Sequence, residues 1–217
     1  MYLKRNCIGK FWPVPRKGTK YQAVATHDKN ESIPLIVVAR DILKFVRNKK
    51  ELKRILNEKN ILINHKIIRE PNFPIGLFDI LSIPEEKKNY RAAFSESKKM
   101  VFEEVNDKDA VKKVYKIINK KNLGAKKIQL NLSQGRNIIT NEKTNIKDSL
   151  VIDLKDGKIL KIIPMKKGEK AFVLKGKHQG KSGKIEDIKI DGGKEIAEIS
   201  TKNEKIKVWT KNLMVIE

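Results

Sequence analysis

From residue 127 onward the chain is a succession of short alternating apolar runs separated by turn residues, and this pattern restricts the fold more than any other. The runs are KIQLNLS, RNIIT, LVIDL, KILKIIPM, AFVLK, GKIEDIKI, EIAEIST, EKIKVWT and LMVIE. Successive side chains of a strand point to opposite faces, so runs of this kind bury one face of a sheet and leave the other to water. Lys155-Asp156-Gly157 and Asp191-Gly192-Gly193 separate neighbouring runs, and Asp-Gly there is a hairpin signal because glycine takes positive φ without a steric penalty. The C-terminal half is therefore expected to be sheet.

One turn in this region carries more glycine and lysine than a hairpin needs. LKGKHQGKSGKI, residues 174–185, contains Gly176-Lys177-His178-Gln179-Gly180-Lys181-Ser182, one residue short of the phosphate loop G-x-x-x-x-G-K-S. A phosphate loop must open a helix, whose first N–H groups bind the phosphate. Here Gly183 follows at once and the next residues alternate as a strand does, so nucleotide binding is set aside. Lysines at 175, 177, 181 and 184 suit the phosphates of a nucleic-acid backbone instead.

Charge points the same way. Among 217 residues, 49 Lys and Arg face 26 Asp and Glu, a net charge of +23. A chain so charged repels itself unless a polyanion neutralises it. Codon bias and solvated lysine faces account for part of the lysine content but not for the excess over acids. No run reaches the ~18 apolar residues of a membrane span, and no leader marks secretion. A single cysteine, Cys7, excludes an internal disulfide, and His27, His65 and His178 lie at unrelated spacings, so no zinc site is expected. A soluble intracellular protein is the reading.

The N-terminal half divides further. Residues 1–27 hold Lys4, Arg5, Lys10, Arg16, Lys17 and Lys20 and no acid before Asp28. Gly9, Pro13, Pro15 and Gly18 prevent a regular helix there, and Phe11, Trp12 and Tyr21 add flat rings, which suits an arm along folded RNA. IPLIVVARDILKFVRN, residues 33–48, has helical apolar spacing, with Arg40, Lys44 and Arg47 as one basic stripe. KKELKRILNEK is a second short helix burying Leu52, Ile55 and Leu56, with Lys49, Lys50, Lys53 and Arg54 opposite. ILIN, a turn at His65-Lys66, and IIRE form a hairpin, closed by PNFPIGLFDILSI. YRAAFSE and KMVFEEV read as strands. DKDAVKKVYKIINKK reads as an amphipathic helix started by Asp107 or Asp109, with Val111, Val114, Ile117 and Ile118 inward.

Residues 33–83 resemble the S-four RNA-binding domain through Arg40, the Glu51 to Leu56 helix and ILINHK. Lys59 and His65 stand where that family commonly has glycine, so both are expected in left-handed conformations at a cost of roughly 1 kcal/mol each. Gly168, Val173, Gly176, Gly180, Gly183 and Ile185 resemble the KOW motif of small SH3-like barrels. With FWPVPRKGTKY, ESIPLIVVARDIL and FPIGLFDILSI, the chain as a whole resembles the S-four-e family of small-subunit ribosomal proteins, in its archaeal form.

The resemblance implies an α+β multidomain chain: a basic N-terminal arm at 1–32, an S-four-like domain of two short helices and a small hairpin sheet at 33–84, a central mixed α/β domain at 85–165, and a C-terminal SH3-like β-barrel with the KOW motif at 166–217. It implies a cytoplasmic, ribosome-bound structural protein that binds ribosomal RNA beside neighbouring ribosomal proteins and supports assembly and translation. No catalytic residue, metal, cofactor, membrane contact or small-molecule substrate is expected. RNA contacts are expected at Lys4, Arg5, Arg16, Lys17 and Lys20 of the arm; at Arg40, Lys44, Arg47, Lys49, Lys50, Lys53, Arg54 and Lys66 of the S-four-like domain; and at Lys175, Lys177, Lys181 and Lys184 of the glycine loop, where Gly176, Gly180 and Gly183 are structural. The rivals are an RNA-modifying enzyme, for which Asp148, Asp153 and Asp156 are the available carboxylates, and a transcription-associated RNA-binding factor.

Overall fold

The computed structural model describes residues 2–95, 97–124, 127–201 and 204–216. It is mostly β with few helices, and it divides into two compact units, Met1–Val111 and Lys112–Glu217.

The first unit opens with a two-stranded ribbon, β1 (Tyr2–Lys4) against β2 (Tyr21–Ala23). The basic stretch between them is folded onto the unit. Trp12 is buried among Ile33, Leu35 and Met100, Phe11 packs edge-on against Phe94, and the Met100 N–H donates to the Phe11 carbonyl at 2.9 Å. The expectation that Phe11 and Trp12 are open for base stacking is therefore corrected, because Trp12 is buried and Phe11 is partly buried against Phe94, which removes apolar area from water.

β3 (Ile33–Pro34) leads into α1 (Leu35–Val37), which widens into a π-helical turn over Val38–Ile42. Every residue from Ile33 to Ala39 is buried. Lys44 has φ 58°, which ends the helix, so Arg40, Lys44 and Arg47 do not share one helical stripe. The helix expected over 33–48 is thus much shorter, since both its ends are taken up by packing and by the left-handed turn.

α2 (Lys49–Asn57) forms as expected. Asn48 caps it by accepting the Glu51 N–H at 3.0 Å, and Glu51 reaches back to the Arg47 N–H at 2.7 Å. Leu52 and Leu56 are fully buried. Lys59, at φ 61°, ends the helix in the left-handed position that glycine usually fills.

β4 (Leu62–Ile63) and β5 (Lys66–Ile67) form the hairpin, with Asn64 and His65 as its two turn residues at φ 51° and 60°. The turn lies one residue earlier than the expected His65-Lys66 because Asn64 is locked into it. Asn64 Nδ2 donates to Asp79 Oδ1 at 2.6 Å, and Asn64 Oδ1 accepts the Ile80 N–H at 3.1 Å. β6 (Pro74–Ile75) pairs with β3, while β7 (Ile80–Ile83), β8 (Lys88–Phe94) and β9 (Met100–Glu104) extend the hairpin into a sheet ordered β5-β4-β7-β8-β9.

The second unit contains two five-stranded antiparallel sheets. The first is ordered β12-β11-β10-β13-β14, from β10 (Lys112–Gly124), β11 (Lys127–Leu132), β12 (Asn137–Thr140), β13 (Ser149–Asp153) and β14 (Ile159–Ile163). The expected helix over 107–121 is overturned: its core is β10. Asp107 and Asp109 lie in a turn, Ile117 is fully buried, and Ile118 is 59% exposed instead of inward. Val114, Tyr115, Ile117 and Ile118 favour a strand, and this long run pairs with β13 over Lys112–Lys116 and with β11 over Ile117–Gly124. No α-helix occurs among the described residues of 85–165, so this stretch is not mixed α/β.

The second sheet is ordered β18-β17-β16-β15-β19, from β15 (Lys170–Val173), β16 (Ser182–Asp191), β17 (Lys194–Ser200), β18 (Lys205–Trp209) and β19 (Leu213–Val215). Gly192 and Gly193, at φ 55° and 74°, make the tight turn between β16 and β17. Its core of Ala171, Val173, Ile185, Ala197, Ile199 and Leu213 continues into Val151 and Ile163 of the first sheet. Polar contacts join the two sheets as well. Lys116 Nζ of β10 donates to the carbonyls of Thr210, Lys211 and Leu213 at 2.7, 2.8 and 2.6 Å, and the Val215 N–H donates to Ser149 Oγ at 3.0 Å.

Candidate nucleic-acid interface

Three basic surfaces are built by these elements. The first is the outward face of α2. With Leu52 and Leu56 turned into the core, Lys49, Lys50, Lys53 and Arg54 are exposed together, and Arg54 contacts Glu58 one turn on at 3.4 Å. Such an exposed pair contributes little and opens readily for a stronger anion. Lys66 is exposed on β5, and Arg47 and Lys44 are exposed beside the start of α2. Arg40 differs. Its guanidinium makes a two-pronged bond to Asp41 at 2.8 and 2.8 Å, and that hydrogen bond raises its pKa. It is half-buried and already neutralised.

The second surface is the N-terminal ribbon and its loop. Lys4, Arg16, Lys17 and Lys20 are exposed. Arg5 is not a free cation there. Its Nε donates to the Thr19 carbonyl at 2.7 Å, Nη1 to the Pro15 carbonyl at 2.6 Å and Nη2 to Thr19 Oγ1 at 3.1 Å, so it staples the loop shut.

The third is the glycine loop between β15 and β16. Ser182 begins a strand and not a helix, as a phosphate loop would require. Gly176 and Gly180 have φ 103° and 86°, conformations that side chains rarely adopt. Gly183 has another reason. A Cβ there would lie 2.2 Å from the Ser200 carbonyl oxygen and 2.8 Å from Ile199 Cγ2, so glycine is needed for β17 to approach. The loop uses its own N–H groups. Gly180 donates to Val173 at 3.0 Å, Gln179 to Gly176 at 3.2 Å and Lys181 to His178 at 3.2 Å. Anion contact at this loop therefore falls to side chains, not to those three N–H groups. Lys175, Lys177 and Lys184 are exposed, and Lys181 is paired with Glu204. That hydrogen bond holds Glu204 below its usual carboxylate range.

Two features lay outside the sequence expectations. Tyr2 is 78% exposed on the ribbon, and Lys116 is 6% exposed inside the second unit. The alternation of Tyr2-Leu3-Lys4 could have exposed the first. Nothing local marks the second, whose partners lie more than ninety positions away.

Comparison with known proteins gives a consistent answer. Residues 86–159 match the family described as Ribosomal family S4e. The small ribosomal subunit protein eS4 of Methanospirillum hungatei is 37% identical over 198 residues, covering 88% of this chain and 82% of that protein. The protein of the same name from Nanoarchaeum equitans is 33% identical over 195 residues, covering 86% and 83%. The crystal structure of the 30S ribosomal protein S4e from Thermoplasma acidophilum superposes with a TM-score of 0.74 at 28% identity, covering 87% of this chain and 96% of that one. The fold and its basic faces thus define a small-subunit ribosomal protein of the archaeal type. The chain belongs to the eS4 family. It is a structural component of the small ribosomal subunit in the cytoplasm and not an enzyme. No helix among the described residues is long and apolar enough to cross a membrane.

Proposed function

We propose that this protein holds ribosomal RNA through several small basic surfaces at once, beside neighbouring ribosomal proteins. The modules are an S-four-like domain at 33–84 and a KOW-bearing SH3-like barrel at 166–217, connected by 85–165 and preceded by the basic stretch 1–32. The observation that carries this reading is α2, whose apolar face is fully buried while Lys49, Lys50, Lys53 and Arg54 stand together in solvent. A helix that buries its leucines and displays four cations in about two turns presents charge at the spacing of phosphates along a strand. Lys44, Arg47 and Lys66 widen that face, and Lys175, Lys177 and Lys184 form the second. Arg5, Arg40 and Lys181 contribute less, because each already has partners within the protein. Linkage of weak sites through one chain gives avidity, so no single lysine is decisive.

The test is the salt dependence of binding to small-subunit ribosomal RNA. Replacing Lys49, Lys50, Lys53 and Arg54 together by Ala keeps the helix, since Ala has the highest helix propensity. The slope of log K against log salt is expected to fall by about 3 to 4 in magnitude, from about 0.7 to 0.9 for each of four lost phosphate contacts. An unchanged slope removes α2 from the interface.

A further inference from the structure

The ribbon at the start of the chain has two faces, and the register of its strands settles which side chains share each. Tyr2 lies opposite Ala23, Leu3 opposite Gln22 and Lys4 opposite Tyr21. Residues directly opposite in an antiparallel pair point the same way. Leu3 and Gln22 therefore share the inner face, where Gln22 is 5% exposed. Tyr2, Lys4 and Tyr21 share the outer face, where Tyr2 is 78% and Tyr21 50% exposed.

Two tyrosines left in water on three-residue strands contribute nothing to this unit's core, which is filled by Trp12 and the residues around it. They sit on diagonal positions, about 7 Å apart at the backbone. Stacked bases follow one another at about 3.4 Å along a strand, so the two positions leave room for one base between the rings. Cations surround them. Lys4 lies directly opposite Tyr21 on the same face, Lys20 Nζ lies 5.5 Å from the Tyr21 ring centre, and Arg16 and Lys17 are exposed in the connecting loop. No acid occurs before Asp28.

The arrangement is also held ready. Arg5 ties the loop closed at Pro15 and Thr19, and its own N–H donates to the Lys20 carbonyl at 2.9 Å. A loop closed before the ligand arrives loses little freedom on binding.

We infer that the outer face of this ribbon is a stacking site for unpaired nucleotides of RNA, with Tyr2 and Tyr21 taking base faces and Lys4, Arg16, Lys17 and Lys20 taking the adjoining phosphates. Base–aromatic stacking over a basic track is how unpaired strands are bound with little sequence preference. The paired regions of RNA hide their base faces, so this site selects loops, bulges and ends. The inference rests on the RNA-binding reading above and adds to it the kind of RNA and a site that differs from α2 in mechanism.

The experiment uses the full chain and two probes, a single-stranded oligoadenylate and a fully paired RNA duplex of equal length. Three proteins are compared: the unaltered chain, Tyr2→Leu with Tyr21→Leu, and Tyr2→Phe with Tyr21→Phe. The leucine pair is expected to lose about tenfold to a hundredfold in affinity for the oligoadenylate, with an unchanged salt slope and unchanged duplex binding. The phenylalanine pair, which keeps the rings, is expected to bind as the unaltered chain does. A leucine pair that binds oligoadenylate as tightly as the unaltered chain overturns stacking while leaving RNA binding intact, and would assign the rings to a protein neighbour. Equal losses for both probes overturn it too, because that marks lost charge or fold and not lost ring faces. Failure of the unaltered chain to bind either probe overturns the RNA-binding reading itself and this site with it.

Discussion

Lys116 holds an ammonium group inside the second unit, where three carbonyls receive it. Burial, together with the like charges of Lys147 and Lys211, lowers its pKa from 10.5 to about 8. A lysine depressed in the fold binds its proton more weakly than in the unfolded chain. Stability tied to this group is therefore complete above pH 10.5 and lost as pH falls toward about 8, a difference of about 3 kcal/mol. Denaturant midpoints measured across that window should rise with pH, and Lys116→Met should flatten the rise. An identical slope in the variant would show that the group is not responsible. Glycines allow a second residue-scale contrast. Gly176 has open space around a hypothetical Cβ, so Gly176→Ala carries only the left-handed penalty, about 1 kcal/mol. Gly183→Ala drives a Cβ into the β17 backbone and is expected to cost about 3 kcal/mol. Chemical denaturation of the two variants side by side checks the order.

At the scale of elements, α2 was the most legible part of the candidate interface. Its cap, its buried leucines and its basic face are all written within ten or so consecutive residues, because helix periodicity and capping are local. Two changes at its ends test that account. Asn48→Ala removes the cap and should cost about 1 kcal/mol. Lys59→Gly should act in the opposite direction, by about 0.5 kcal/mol, since glycine relieves the left-handed strain at φ 61° but gives up some of that gain to the freer unfolded chain. Thermal unfolding of both variants reads the two signs, and a destabilised Lys59→Gly would refute the strain argument. β10 is the contrary case. Val111, Val114, Ile117 and Ile118 satisfy the spacing of a helix face, and the same residues satisfy β-propensity. The choice was made by β13 and β11, which pair with the first and the second half of the strand in turn. The stripe at Arg40, Lys44 and Arg47 failed for a related reason: Lys44 turned left-handed to begin the approach to α2.

For the whole molecule, the charge of +23 has opposite consequences for the free and the bound states. Free of RNA, like charges repel across the surface, and added salt screens them. Raising ionic strength from about 0.01 to about 0.15 M should therefore raise the Tm of the isolated protein by about 2 °C or more, equivalent to about 1 kcal/mol. The same change should weaken RNA binding, because fewer counterions are released to gain entropy. Calorimetry of the free protein and titration with ribosomal RNA over one salt series measure both. A Tm that falls with salt would mean that internal pairs such as Lys181 with Glu204 and Lys167 with Asp187 outweigh the repulsion.

The sequence by itself determined what depends on near neighbours and on totals: the polyanion-seeking charge, the strands of the C-terminal half, the tight glycine turns and the amphipathic α2. It also carried enough motif to indicate the family. Only the tertiary structure decided which cations are available and which aromatics are. Arg5, Arg40 and Lys181 read as three more open positive charges until the fold supplied Thr19, Asp41 and Glu204 as partners. Trp12, Phe11 and Tyr21 read alike as stacking rings until the core of the first unit buried Trp12 and partly covered Phe11, leaving Tyr21 facing water together with Tyr2. Partners distant in sequence become neighbours only when the chain closes, and burial is a property of that closure and not of the residue.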